Sequence, residues 1–241
     1  MKFYRYFLNG IPEYLARHYW WAYLWRFSVW FFDFQFIINA ILFGQYKKLK
    51  AETLLQITDN KGPILQLACV YGSLTPTIIK KISPMPLHIT DVALIQLRKI
   101  KNKIARQSLL LATIMNAEQL AYKNNSFKKL IVFFLLHELP QTARLKTLAE
   151  CLRVTQPDGI IVITEYNKKP INHFLYRFYP SRWLLEKAEP FLSDFWSEDL
   201  FSMLNDLGKQ YAKEVNLVNE VTLFYGFYRV VVYSVCNRDI T

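Results

Sequence analysis

The side chains in this 241-residue chain that could do chemistry stand just after apolar runs. His137-Glu138 follows Leu130–Leu136. An imidazole titrates near about 6.5, so it can take a proton from an attacking amine, and the adjoining carboxylate can orient it or share a divalent cation with it. The pair also suits a structural part, since an acid near a helix start compensates the helix dipole. Asp91 closes a second run, Leu87-His-Ile-Thr-Asp91. Its two acceptor oxygens could hold both hydroxyls of a ribose, or the residue could cap a helix beginning near Val92. Tyr71 and Gly72 follow a third run, Ile64–Ala68. A phenol there can exchange a proton, or it can pack as a core aromatic. His88, inside a strand, reads as structural, and His18 and His173 carry no argued role.

Such groups meet only if a scaffold brings strand ends to one edge. The apolar runs at 64–68, 87–91, 108–114, 130–136 and 160–164 alternate with helical stretches to Lys81, through Arg106 and from Gln141 to Val154. Strands apolar throughout, separated by helices, predict a parallel sheet covered on both faces. Gln156-Pro-Asp-Gly159 reads as a turn. A helix at Glu198–Leu207 and a strand at Phe227–Tyr233 close the chain. Ligands of open α/β sheets lie at the carboxyl ends of the strands, which is where Gly72, Asp91 and His137 fall. Neither G-x-G-x-x-G nor G-x-x-x-x-G-K-[ST] is present, so the usual dinucleotide and P-loop turns are missing.

Composition adds a second theme. Hydrophobic residues make up 52% of the chain and charged residues 20%, which excludes a disordered protein. Cys69, Cys151 and Cys236 lie far apart, against a zinc site or a disulfide framework. Lysine and arginine outnumber acids 30 to 19, which points to an anionic partner. Nearly half of the aromatic residues lie between Met1 and Tyr46. In the first fifty residues Lys2, Arg5, Arg17, Arg26, Lys47, Lys48 and Lys50 face only Glu13 and Asp33. Asp33, Gln35 and Asn39 interrupt the apolar stretch, against a membrane span. Trp and Tyr between basic residues describe helices lying in a membrane interface, and equally helices whose aromatics cap the main domain. Residues 1–50 therefore read as an aromatic, basic helical cap. Residues 51–241 read as one α/β domain with an insertion at about 167–195, carrying Lys168, Lys169, Arg177, Arg182 and Lys187. Single-stranded nucleic acid is the competing anion, but no nucleic-acid motif is visible.

The order of motifs resembles class I S-adenosylmethionine-dependent methyltransferases, with a Rossmann-like sheet. The first-strand turn departs from that family's pattern: Gln66 stands for the acid, Ala68 and Val70 for glycines, and only Gly72 remains. Met115–Phe127 resembles the segment that holds adenine, with Asn116 at the usual Asp, and Leu152–Ile163 resembles the turn into the fifth strand. Tyr19-Trp-Trp-Ala-Tyr23, Ile41-Leu-Phe-Gly44, Ala68-Cys-Val-Tyr-Gly72, Ile95-Gln-Leu-Arg98 and Phe133-Phe-Leu-Leu-His-Glu138 together are similar to the rhodoquinone-biosynthesis methyltransferase-like family, from Tyr19 to the last strand.

That resemblance implies an enzyme replacing one ring methoxy group of ubiquinone with an amino group, with S-adenosylmethionine as amino donor and a divalent metal such as Mn2+ assisting. It implies a donor site at Gln66, Ala68, Cys69, Gly72, Asp91, Val92, Asn116, Ala117, Glu118 and Phe133, and a quinone contact at Tyr19, Trp20, Trp21 and Tyr23. Tyr71, His137 and Glu138 are the expected catalytic groups, with Tyr71 repositioning the donor; the metal ligands are left open. A quinone substrate places the protein peripherally on the cytoplasmic face of the inner membrane, against anionic lipid. The alternatives are a conventional methyltransferase acting on a quinone or lipid, and a non-catalytic membrane-assembly protein. The oligomeric state is left open. Each reading in which a donor binds needs a hollow beside Gly72 and Asp91.

Overall fold

The computed structural model describes residues 3–8, 10–57, 62–105 and 108–238, with side chains from Arg5 onward. Lys2 and Arg106 of the basic segments lie outside them. The N-terminal aromatics form short helical pieces. α1 (Glu13–Tyr19) runs into a π-helical turn, Trp20–Leu24, then α2 (Arg26–Phe31) and α3 (Gln35–Ile41). Trp25 is extended and breaks the run. No helix among the described residues is long and apolar enough to cross a membrane. Asp33, between α2 and α3, turns inward: it pairs with Lys99 (3.3 Å) and Lys103 and accepts the Gly72 N–H (3.2 Å). α4 (Tyr46–Leu55) spans residue 50 and lays Tyr46, Leu49 and Thr53 on the sheet, with Thr53 Oγ1 2.6 Å from Thr164 Oγ1.

The remaining chain alternates as its apolar runs require. β1 (Ile64–Leu67), α5 (Leu74–Ile82), β2 (Leu87–Asp91), α6 (Leu94–Lys103), β3 (Leu110–Ile114) and β4 (Phe127–Phe133) are followed by a 3₁₀ turn, Leu136–Glu138. Then come α7 (Gln141–Val154) and β5 (Thr155–Tyr166). α8 (Phe174–Arg177), α9 (Tyr179–Ala188) and α10 (Leu192–Ser197) fill the region expected as an insertion. α11 (Leu200–Gln210), β6 (Lys213–Leu223) and β7 (Tyr228–Asn237) complete the sheet. Its order is β3-β2-β1-β4-β5-β7-β6, parallel from β3 to β5, with β7 antiparallel to both its neighbours. This is the Rossmann-like sheet of class I methyltransferases. The central strands are buried on both faces, and Leu65, Leu130, Ile131, Ile161, Val162 and Val231 form the middle of the core.

Several boundaries differ from the sequence expectation for local reasons. β4 starts and ends three residues early, because Phe134 takes φ +51 and breaks the strand. The Gln156–Gly159 turn is absorbed into β5 as an irregularity with Asp158 at φ +59, and pairing with β4 slips beside it. β6 was not expected at all. It is an edge strand whose side chains are largely solvated, so its apolar signal is weak.

Candidate active site

A cavity opens at the carboxyl ends of β1, β2 and β4 beneath the cap. Ala68, Cys69, Val70 and Tyr71 form one wall, Asp91, Val92, Ala93, Asn116 and Ala117 another, and Phe133, Phe134, His137 and Glu138 a third. Ile38, Ile41 and Leu42 of the cap roof it. β1 delivers its wall through a left-handed kink: Ala68 holds φ +61, a conformation glycine adopts without cost. Asp91 Oδ2 accepts the Cys69 N–H (2.8 Å) and Oδ1 the Ala93 N–H (2.7 Å). This is a cap as well as a site wall, and each oxygen keeps a further lone pair for a hydroxyl. Burial pushes the Asp91 carboxyl up to about 6, against the pull of those two amides.

The opposite end carries an acid–imidazole cluster. Leu136–Glu138 is pinned from below by fully buried Arg144, whose guanidinium donates to Leu136 O (2.9 Å) and Leu139 O (2.7 Å) and pairs with Glu198. His137 Nδ1 lies 2.7 Å from Glu165 Oε1, and Nε2 lies 3.6 Å from Glu189 and 4.0 Å from Glu138. Glu165 Oε2 also accepts the N–H groups of Leu136 (3.0 Å) and His137 (3.3 Å). Tyr23 donates to Glu138, and Tyr19 to Glu189 (3.1 Å). Burial alone would push the His137 imidazole down, but Glu165 and Glu189 outweigh it and hold it well above the usual histidine value. Burial, with repulsion from Glu189 and Glu165, pushes Glu138 up to about 8 against the pull of His137 and Tyr23. Three carboxyl groups around one imidazole in a buried site need protons or a cation to balance them.

The structure redistributes the residues expected for binding. Cys69, Asp91, Val92, Asn116, Ala117, Phe133 and Tyr23 stand on the cavity wall, as do Ala68, Tyr71, His137 and Glu138. Gln66 does not: it is buried in β1, donating to Ala68 O (3.0 Å) and accepting from Thr75 (3.1 Å), so it braces the strand end. Gly72 is also off the wall. Its φ of +82 and the Tyr46 hydroxyl, 2.6 Å from where a Cβ would sit, require glycine there. That hydroxyl accepts the Ser73 and Leu74 N–H groups at the start of α5 (2.7 and 2.9 Å). Glu118 faces Tyr14, accepting its hydroxyl (3.0 Å). Tyr19 is buried against Glu189, Trp20 stacks on Phe7, and Trp21 points outward against Phe32. Helical periodicity turns Tyr19 and Tyr23 toward the sheet and leaves the two tryptophans on other faces. Tyr71 donates to Ala22 O (2.5 Å), accepts from Gln96 (2.9 Å) and stacks on Tyr23 at 5.7 Å, so its hydroxyl joins the cap to the donor wall.

Glu165, Glu189 and Gln96 escaped the sequence reading. Glu165 had a signal, an acid at the carboxyl end of an apolar strand. Glu189 had none, because only the tertiary fold brings the segment after α9 to His137.

Sheet order, cavity position and carboxylate placement define the class I methyltransferase fold, and residues 64–159 match the family model of a methyltransferase domain. The chain is similar to the ubiquinone/menaquinone biosynthesis C-methyltransferase UbiE of Rickettsia bellii, 29% identical over 153 residues, covering 59% of this chain and 61% of that protein. The UbiE protein of Rickettsia felis is 25% identical over 221 residues, covering 80% and 87%. The chain thus spans about three fifths of the R. bellii relative that it matches. Among solved structures, the Synechocystis magnesium protoporphyrin IX methyltransferase with bound SAH superposes with TM-score 0.64 at 10% identity, covering 94% of this chain and all of that one. The Pyrococcus horikoshii PH0226 protein gives 0.58 at 16% identity, covering 93% and 99%. The sheet order and these superpositions show the fold shared by class I methyltransferases.

Proposed function

We propose that the protein uses S-adenosylmethionine to modify the ring of a membrane-borne quinone, exchanging one methoxy group of ubiquinone for an amino group to give rhodoquinone. The observation that carries this reading is the His137–Glu138–Glu189 cluster opening on the same cavity as Asp91. Asp91 suits the ribose hydroxyls, and Asn116 and Ala117 line the place for adenine. Exchange at the ring requires the donor's amine to lose a proton as it attacks and the departing methoxide to gain one and leave as methanol. The bond from that nitrogen to the donor's Cα must then break, by loss of the Cα proton with two electrons passing to the quinone ring and hydrolysis of the resulting imine to a 2-oxo acid. An imidazole beside carboxyl groups can carry the protons. Carbon methylation alone asks for less. The relatives are named for ubiquinone and menaquinone biosynthesis, which supports a quinone ring as the acceptor.

One ligand atom from each of His137, Glu138 and Glu189 can be chosen so that all lie within 4.8 Å, a nitrogen-and-carboxylate set suited to Mn2+. Glu165 behind the ring is the outer carboxylate that such a histidine usually has. A bound ion would polarise a quinone carbonyl and would take the His137 lone pair, so the cluster would serve either as the proton carrier or as the metal site. The exposed aromatics Phe27, Trp30, Phe34 and Phe36 on the cap, with neighbouring basic residues, suit peripheral attachment to anionic lipid on the cytoplasmic face of the inner membrane.

A second reading, a conventional quinone C-methyltransferase, is favoured by the names of the relatives. Expression in a ubiquinone-making host that lacks rhodoquinone, with mass spectrometry of the extracted lipids, separates them. The proposal expects an aminated quinone, absent when His137→Ala is expressed. A methylated quinone would favour the second reading, and no new quinone would contradict both.

A further inference from the structure

A separate hollow lies at the same edge of the sheet, between the 167–174 loop and the turn joining β6 to β7. Lys168, Lys169, Asn172, His173, Tyr225 and Gly226 are on its wall, and among the described residues no acid lines it. Lys169 Nζ sits 5.6 Å from the Tyr176 ring centroid. The turn is strained: Phe224, Tyr225 and Gly226 hold φ +53, +54 and +80, and two adjacent non-glycine residues in the left-handed region are disfavoured. Strain of this kind persists where surrounding structure imposes it. Here Phe224 is held by ring contacts to His173 (4.8 Å), Phe174 (5.7 Å) and Phe43 (5.9 Å). The consequence is that Tyr225 projects with 89% of its surface exposed, beside exposed Ile171 and Phe174. The same surface continues through Phe43 to Ile41, which lines the main cavity and is 46% exposed.

We propose that this hollow holds the phosphate of an anionic phospholipid. Lys168 and Lys169 supply the charge, Tyr225, Ile171 and Phe174 enter the headgroup layer, and the cavity mouth beside Ile41 is thereby set against the bilayer. The inference rests on the membrane attachment proposed above and assigns it a site.

The test is cosedimentation at low salt with vesicles of equal parts phosphatidylcholine and phosphatidylglycerol. Lys168→Glu/Lys169→Glu is compared with Lys80→Glu/Lys123→Glu, an equal charge change at the amino ends of the strands. The site pair is expected to bind about tenfold more weakly than wild type or worse, and the control pair to lose much less. Tyr225→Gly, which relieves the backbone, should hold or raise the thermal midpoint and still weaken vesicle binding. Equal losses in the two lysine pairs, or full binding by Tyr225→Gly, would overturn the site while leaving general membrane attraction intact. No binding by wild type would remove the membrane reading itself. Inorganic phosphate should release the protein from vesicles better than chloride of equal ionic strength; phosphate binding at Lys168 and Lys169 that leaves vesicle binding unchanged would identify a free-anion site and overturn the lipid assignment.

Discussion

Asp91 holds the β1 and β2 loops together through two main-chain amides and, on the reading above, holds a nucleoside as well. Its carboxyl lies at about 6 in the folded chain against an ordinary 3.8. Between those values the folded chain keeps a proton that the unfolded chain has lost, so this group's contribution to stability falls as pH rises through that window and is constant above it. Nucleoside binding runs the other way, since ribose hydroxyls need the ionised form. S-adenosylhomocysteine affinity measured by calorimetry should be full above pH about 7 and weaken by up to about tenfold per unit below pH about 6. Asp91→Asn should lower it by about ten- to a hundredfold at neutral pH. Affinity independent of pH and of this substitution would mean that the nucleoside lies elsewhere.

At the level of elements, Asp33 is one of the residues that tie the cap to the β1 loop and α6. Asp33→Ala leaves Lys103 and the Gly72 N–H without that carboxylate in a largely buried place, and should cost about 2–3 kcal/mol in urea unfolding. A loss below about 0.5 kcal/mol would make it an ordinary surface pair. Asp33 also marks what a sequence can and cannot reveal. Its charge argued against a membrane span, but its partners come from α6 and the β1 loop, and no local pattern announces them. β2 was legible to the residue and α7 closely, because each is a bounded run whose period matches its burial. β6 was not legible, since a solvated edge strand needs few apolar residues. In the site, Asp91 and His137 could be found from strand ends alone. Glu189, the inward turn of Tyr19 and Tyr23, and the outward turn of Trp21 depend on how helices sit on the sheet.

On the scale of the whole molecule, a single edge of the sheet gathers the cavity and the acid–imidazole cluster beneath a cap rich in exposed aromatics, and the chain carries a formal charge of +11. On the function proposed above, the ring of an amphiphilic substrate would reach the buried cluster and its tail would leave past α3. Amino transfer and methyl transfer differ in which part of the donor reaches the ring. The most direct measurement supplies purified protein with Mn2+, ubiquinone and S-adenosylmethionine carrying separate isotope labels in its α-amino nitrogen and its methyl carbon, and follows the quinone by mass spectrometry. Amino transfer predicts the nitrogen label on the ring, one methoxy group lost and no methyl label gained. A ring that gains the methyl label without the nitrogen label would contradict it.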